Sequence, residues 1–344
     1  MLQLENKTPF AAALAALPDA SGRDTLQVIV RATFTVQKSR QVASEQVPVC
    51  LADEPYGEPE TSSLRYASDV SLPRPTTDLV LVGSAWTTAS ARPDQVDVLF
   101  EVAGRSKVLR VTGDRFWTQG LLRVTASPPL PFVSMPIVYE RAYGGTHRLH
   151  PDRPDHLAEP RNPVGVGFRG KRAAKDFVGQ RLPNVEDPRR LIEAPGAEAT
   201  PQGLGFVAPH WLPRRQHAGT YDETWQRTRA PFLPHDFDAR FNNAAHPDLV
   251  CDRLLVGGEP VLAVNLCAAG PLRFQLPLCE FEVTAAVGGQ RMRAEPRLEC
   301  VLLEPDLDRL GLTWRSTFAV DKKLLRVQWV QVAMRRLELD GRQA

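Results

Sequence analysis

The stretch Asn162 to Arg172, NPVGVGFRGKR, carries two phosphate-binding patterns at once. Gly165, Gly167 and Gly170 spell GxGxxG, and Gly165 to Lys171 spell GxxxxGK without the closing Ser or Thr. A dinucleotide turn needs a strand to enter it and a helix to leave it, so that the helix N-terminus faces the pyrophosphate. Here Pro160 and Pro163 precede the glycines and are incompatible with a central strand. In the second pattern Arg172 stands where a hydroxyl would bind magnesium. The glycines are therefore read as permitting positive φ or close backbone approach, and no nucleotide, cofactor or small-molecule substrate is expected.

Two other groups could do chemistry. His147, His150, Asp152, Asp155 and His156 lie close together, but Pro151 and Pro154 break the helix that would gather them, and no CxxC or HExxH accompanies them. They are read as a polar loop, with no metal. In PHDFDARF an extended chain puts Asp236 and Asp238 on one face beside His235, which would suit a general acid and base. That cluster defines the alternative reading, a hydrolase or metal-dependent enzyme, but adjacent acids are also common in turns and no GxSxG elbow supports it.

A third group points to binding. In PHWLPRRQHAGTYDETWQRTRAPFLP the residues enriched at protein interfaces, Arg, Trp and Tyr, are intermingled. From Glu140 to Arg240 there are 16 basic and 13 acidic residues, a difference of +3, which favours a protein surface over a nucleic-acid groove. The same aromatics could instead pin the segment to its own core. The candidate protein-binding or loop-shaping residues are Arg141, Tyr143, Gly144, Gly145, Asn162, Pro163, Gly165, Gly167, Trp211, Arg214, Tyr221 and Trp225.

The elements that must hold these residues are strands. TLQVIVRATFTV and DLVLVGSAW are β-rich runs, and VDVLFEVAGRSKVLRVTG reads as two strands about a short turn. EFEVTAAVGGQRMRAEPRLECVLL puts Phe281, Val283, Ala285 and Val287 on one face before a Gly288–Gly289 turn. LTWRSTF alternates Leu312, Trp314 and Phe318 against Thr313, Arg315 and Thr317. The best short helical candidate is Phe10 to Leu17.

Between the strand-rich ends, 13 of the 30 prolines fall from Pro151 to Pro247 and all seven histidines from His147 to His246, and periodicity is lost. The aromatic anchors there argue for order. The expected fold is mainly β, an antiparallel sandwich-like core with a long ordered Pro/Gly-rich insertion and little helix. The chain is read as one domain, 1–344, with its terminal thirds 1–138 and 248–344 sharing a β core and 139–247 laid across it; a split near 139 is the alternative.

The 42 basic and 40 acidic residues of the 344 give a net charge of +2, which disfavours a nucleic-acid binder. No apolar run is long enough for a membrane helix. FAAALAALPDASG imitates a secretory signal, but with Glu5 ahead of it and Lys7 its only nearby base it is read as the start of the folded chain.

NKTPF, VRATFTV, DEPYGEPETSSLRYASDVSLPRPTTDLVLVGSAW, VTGDRFW, PFVSMPIVYERAYGGTH, RNPVGVGF, LPNVEDP, GLGFVAPHWLPRRQHAGTYDETW and APFLPHDFDARFNNAAHPD stand in collinear order from Leu2 to about Phe318. The set resembles domain-of-unknown-function family 2169, encoded in bacterial type VI secretion clusters. The resemblance implies a cytoplasmic, non-enzymatic effector adaptor or chaperone. Its partners would be a toxin effector and a spike protein of the VgrG/PAAR type. It supplies no catalytic residues.

Cys50, Cys251, Cys267, Cys279 and Cys300 are an odd set at wide spacings, as in a reducing compartment. Denatured protein from fresh lysate is expected to titrate with five free thiols; two or three stable bridges would overturn this reading.

Overall fold

Alternation along Asp24–Phe34 sends Leu26, Val28, Val30, Ala32 and Phe34 to one face and Gln27, Arg31 and Thr33 to the other, and all of them are buried. A strand buried on both faces must be central and covered twice. In the computed structural model, which describes residues 3–37, 40–87, 93–150, 156–339 and 342–343, this strand lies inside a five-stranded sheet. The sheet's order is Ala11–Pro18, Asp24–Phe34, Arg309–Ala319, Arg297–Glu304, Asp78–Leu81, with only the last pair parallel.

A second sheet runs Gln3–Lys7, Val327–Leu339, Leu278–Val287, Gln290–Ala294, and Arg342–Gln343 pairs with the end of Val327–Leu339. It faces the apolar side of the first, where the Phe281 ring meets Trp314 edge-on at 5.0 Å and Phe10 lies between Phe34 and Phe281. The third sheet is antiparallel: Val185–Glu186, Arg105–Thr112, Gln95–Val102, Pro260–Val264, Leu272–Gln275. Each sheet therefore mixes strands from distant parts of the chain, and one hydrophobic cluster runs through all three. The fold is mainly β and sandwich-like. Among the described residues the only α-helix is Glu223–Thr228, and no helix is long and apolar enough to cross a membrane.

The two expected hairpins form. Gly288 and Gly289 take φ of 57° and 83°, the positive values that a two-residue turn between twisted strands demands. The helix expected at Phe10 to Leu17 does not form; Ala11–Pro18 is a strand along Asp24–Phe34. Eight alanine-rich residues are too few to hold a helix alone, so pairing with a preformed strand decides the outcome. All five cysteines are free and buried.

The polar face of the first sheet is buried as well, because the chain from Val49 to Asp78 crosses it. Arg315 on the central strand donates from Nε to Glu299 Oε2 at 2.7 Å, from Nη1 to Gln27 Oε1 and to Ser71 O at 2.8 Å, and from Nη2 to Asp69 O at 2.7 Å. Around it Arg31 meets Asp69 at 3.1 Å and Arg74 meets Asp78 at 3.3 Å. Removing one partner of a buried pair strands the other charge, at about 3–5 kcal/mol, whereas replacing both by apolar groups can be nearly neutral. Glu299→Ala should therefore lower the urea unfolding free energy by about that amount, and Glu299→Leu with Arg315→Met should recover most of it. A Glu299→Ala midpoint equal to the parent's would remove the pair from its structural role.

Candidate functional site

The central segment is tied together at Asn162, whose side chain is fully buried. Asn162 Nδ2 donates to Tyr139 O at 2.8 Å and Tyr143 O at 2.9 Å, and its main-chain carbonyl accepts from Gly145 N at 2.8 Å. Tyr143–Gly144 lies parallel to Val166–Gly167. Pro163 occupies the turn that Gly165 N closes on Asn162 O at 3.4 Å. A Cβ on Gly165 would stand 2.6 Å from Ala142 O and 2.9 Å from Gly144 Cα, so the glycine is there for space.

This geometry accounts for the phosphate-like letters. The amides of Val166 and Phe168 donate to Ala142 O and Gly144 O, and that of Lys171 to His147 Nδ1 at 3.0 Å. Several of the amides that would cradle a phosphate, those of Gly165, Val166, Phe168 and Lys171, are thus engaged within the chain. His147 lies on Thr146–Arg148, paired with His156–Ala158, while Asp152 and Asp155 lie outside the described residues.

The remaining candidates divide between core and surface. Arg141 Nη1 bridges Asp114 Oδ1 at 3.2 Å and Asn184 Oδ1 at 3.1 Å, and Tyr143 is buried in a small cluster with Trp117, Phe177, Leu182 and Ile192. Trp211, at 1% exposure, packs edge-on against Tyr139 with ring centroids 5.5 Å apart, so it stands in the core of this structure. Arg214 is half-buried over the Phe241 ring, with Nε donating to Phe241 O and Nη1 to Val207 O, both at 2.8 Å. Tyr221, 53% exposed, stacks edge-on with Trp225 at 4.7 Å, and Trp225 Nε1 donates to Phe232 O at 2.8 Å.

The acids of the alternative reading serve local turns. Asp236 accepts from Thr220 N at 3.0 Å and from Thr220 Oγ1 at 2.7 Å, and these bonds hold its carboxyl below the usual range. Asp238 accepts from Arg240 N and Nε at 2.9 and 2.8 Å; chiefly for that reason it is held down to about 2. His235 makes no hydrogen bond to either acid among the described residues.

Sequence reasoning missed a different feature. The hairpin Trp117–Gln119 with Val124–Ala126 carries Leu121 and Leu122 at its tip, 99% and 94% exposed. Its base is pinned by the buried Trp117 ring, beside half-exposed Phe116 and Leu130. Arg123 stands on the tip, and the Arg181 guanidinium lies 6.0 Å from the Phe116 ring. The readable signal was an apolar pair, GLLR, held between a glycine and an arginine where a turn should be polar.

A family model described as "Uncharacterized protein conserved in bacteria (DUF2169)" matches residues 21–315. No curated protein and no solved structure matches the chain.

The placements predict opposite outcomes for neighbouring aromatics. Trp211→Ala should cost about 3–5 kcal/mol of stability and Gly165→Ala about 1–3 kcal/mol through overpacking, whereas Tyr221→Ala should stay within about 1 kcal/mol. Chemical denaturation of the three variants checks this, and a Trp211→Ala protein as stable as the parent would remove that ring from the core.

Proposed function

The chain belongs to the DUF2169 family of bacterial proteins, and from that premise we propose that it is a non-enzymatic adaptor of a type VI secretion system. In this reading it binds a toxin effector in the cytoplasm, shields it as a chaperone does, and presents it to a spike protein of the VgrG/PAAR type. The motifs that carry the resemblance supply the secretion context. One structural observation supports a binding role directly: two consecutive leucines almost wholly in water at the tip of an anchored hairpin.

Burying one leucine side chain is worth about 1.5–3 kcal/mol, so the exposed pair is a reserve of binding free energy that only contact with another surface releases. The buried base at Trp117 holds the tip in place beforehand, which lowers the ordering cost of association. Arg123 would flank the contact and favour an acidic rim on the partner, while Arg181 is already paired with Asp114. A stable contact of this kind would bury on the order of 800 Å² per partner, with the tip at its centre.

A toxin bound in this way should be poorly soluble alone and rescued by co-expression as a complex. Leu121→Asp with Leu122→Asp should abolish co-purification of the toxin while shifting the melting temperature by no more than a few degrees. Equal toxin yield with and without this protein would sink the adaptor reading. Full retention of the toxin by the double variant would move the contact off the hairpin.

A further inference from the structure

At the seam between the third sheet and the central segment, three depressions of about 730, 300 and 290 Å³ open side by side, and Arg105 lines all of them. The middle one has apolar walls from Val207, Ala245 and Val250, and also takes in Arg214, His217 and Arg240. Most of these cations already face acids. Arg105 lies 3.6 Å from Asp252, while Arg240 and, at 3.5 Å, His217 both face Asp238.

Arg214 has no acid within ion-pair distance among the described residues, and Asp53 and Asp78 attract it only from farther away. Its Nε and one Nη1 hydrogen are used on the carbonyls of Phe241 and Val207, which fixes the guanidinium plane, and Nη2 has no acceptor there. Burial, then the neighbouring charge of Arg74, pushes the group down to about 10. A half-buried cation with no acid in contact is an unfavourable arrangement that an entering anion relieves. The remaining Nη1 and Nη2 hydrogens lie in the guanidinium plane, a donor set suited to the two oxygens of a carboxylate. The apolar walls beside the fork suit an aliphatic group attached next to that carboxylate, as at the last residue of a polypeptide.

We propose that the Arg214 pocket receives the carboxylate of a polypeptide chain end, with its aliphatic side chain against Val207, Ala245 and Val250. The carrier follows from the binding-protein reading, but the carboxylate site does not depend on it. The pocket, the carboxylate and the side chain beside it can therefore be tested without any toxin.

The test is calorimetric or NMR titration of the full-length protein with three probes: N-acetyl-leucine, N-acetyl-leucinamide and inorganic phosphate. Saturable binding of N-acetyl-leucine at millimolar concentration is expected, with the amide and phosphate each weaker by about tenfold or more. Arg214→Gln should abolish it. Because Arg214 also braces two carbonyls, Arg240→Glu serves as the second variant: with an unchanged melting temperature it should weaken N-acetyl-leucine severalfold by reversing the charge at the rim. No saturable binding, equal binding of the amide, phosphate binding as tightly as N-acetyl-leucine, or parent-like affinity in Arg240→Glu would each overturn the proposal.

Discussion

Arg315 and Glu299 form a buried pair that decides what may lie above the first sheet. Both side chains are buried on a sheet face that composition alone would leave to water. A guanidinium there is tolerable only if every donor is answered and the site is sealed. The answering groups come from three places: Glu299 on the adjacent strand, Gln27 on the other, and the backbone of Asp69 and Ser71 overhead. The covering chain is therefore specified by the sheet beneath it. Thr77 Oγ1 continues the seal by donating to Leu298 O at 2.6 Å and accepting from Leu255 N at 2.8 Å.

From that layer the order spreads into the central segment. Asp78, at the edge of the first sheet, accepts from Asn243 Nδ2 at 2.8 Å and from Ala244 N at 2.7 Å, and Asn242 Nδ2 reaches Pro73 O at 3.4 Å. The stretches PRPTTD and NNAAHPD, which both carry the family resemblance, are thus two sides of one buried junction. RNPVGVGF does the same work at Asn162. The motifs are largely the instructions for fastening an irregular segment to a β core. The hairpin tip lies outside them.

What was legible in the sequence follows from this division. Hairpins with glycine turns and alternating strands could be read because period and turn chemistry are local. Ala11–Pro18 could not, since its alanines favour a helix and only the neighbouring strand overrules them. The alternation in LTWRSTF revealed two faces, but the burial of Thr313 and Arg315 depends on residues some 240 positions away. Trp211 and Tyr221 stand ten positions apart in the same aromatic-rich text, yet one is core and the other surface. Composition reports interface-type residues without saying which way they point. Leu121 and Leu122 were passed over for the converse reason, because a two-residue apolar pair has no period.

The hairpin and the Arg214 pocket are joined by one rigid element. The strand Arg105–Thr112 begins at the residue that lines all three depressions and leads, through Asp114 and Phe116, into the Trp117 base of the hairpin. At about 3.4 Å per residue the strand alone separates its ends by roughly 24 Å. It is paired along its whole length with Gln95–Val102 and on its other side with Val185–Glu186 at Arg110 and Val111, which resists shortening when either end is occupied. A partner that reached both features would have to span that distance, and the separation equally leaves room for two partners on one protein. In the proposed adaptor reading, two contacts joined by one sheet strand would hold cargo and carrier together without any conformational change.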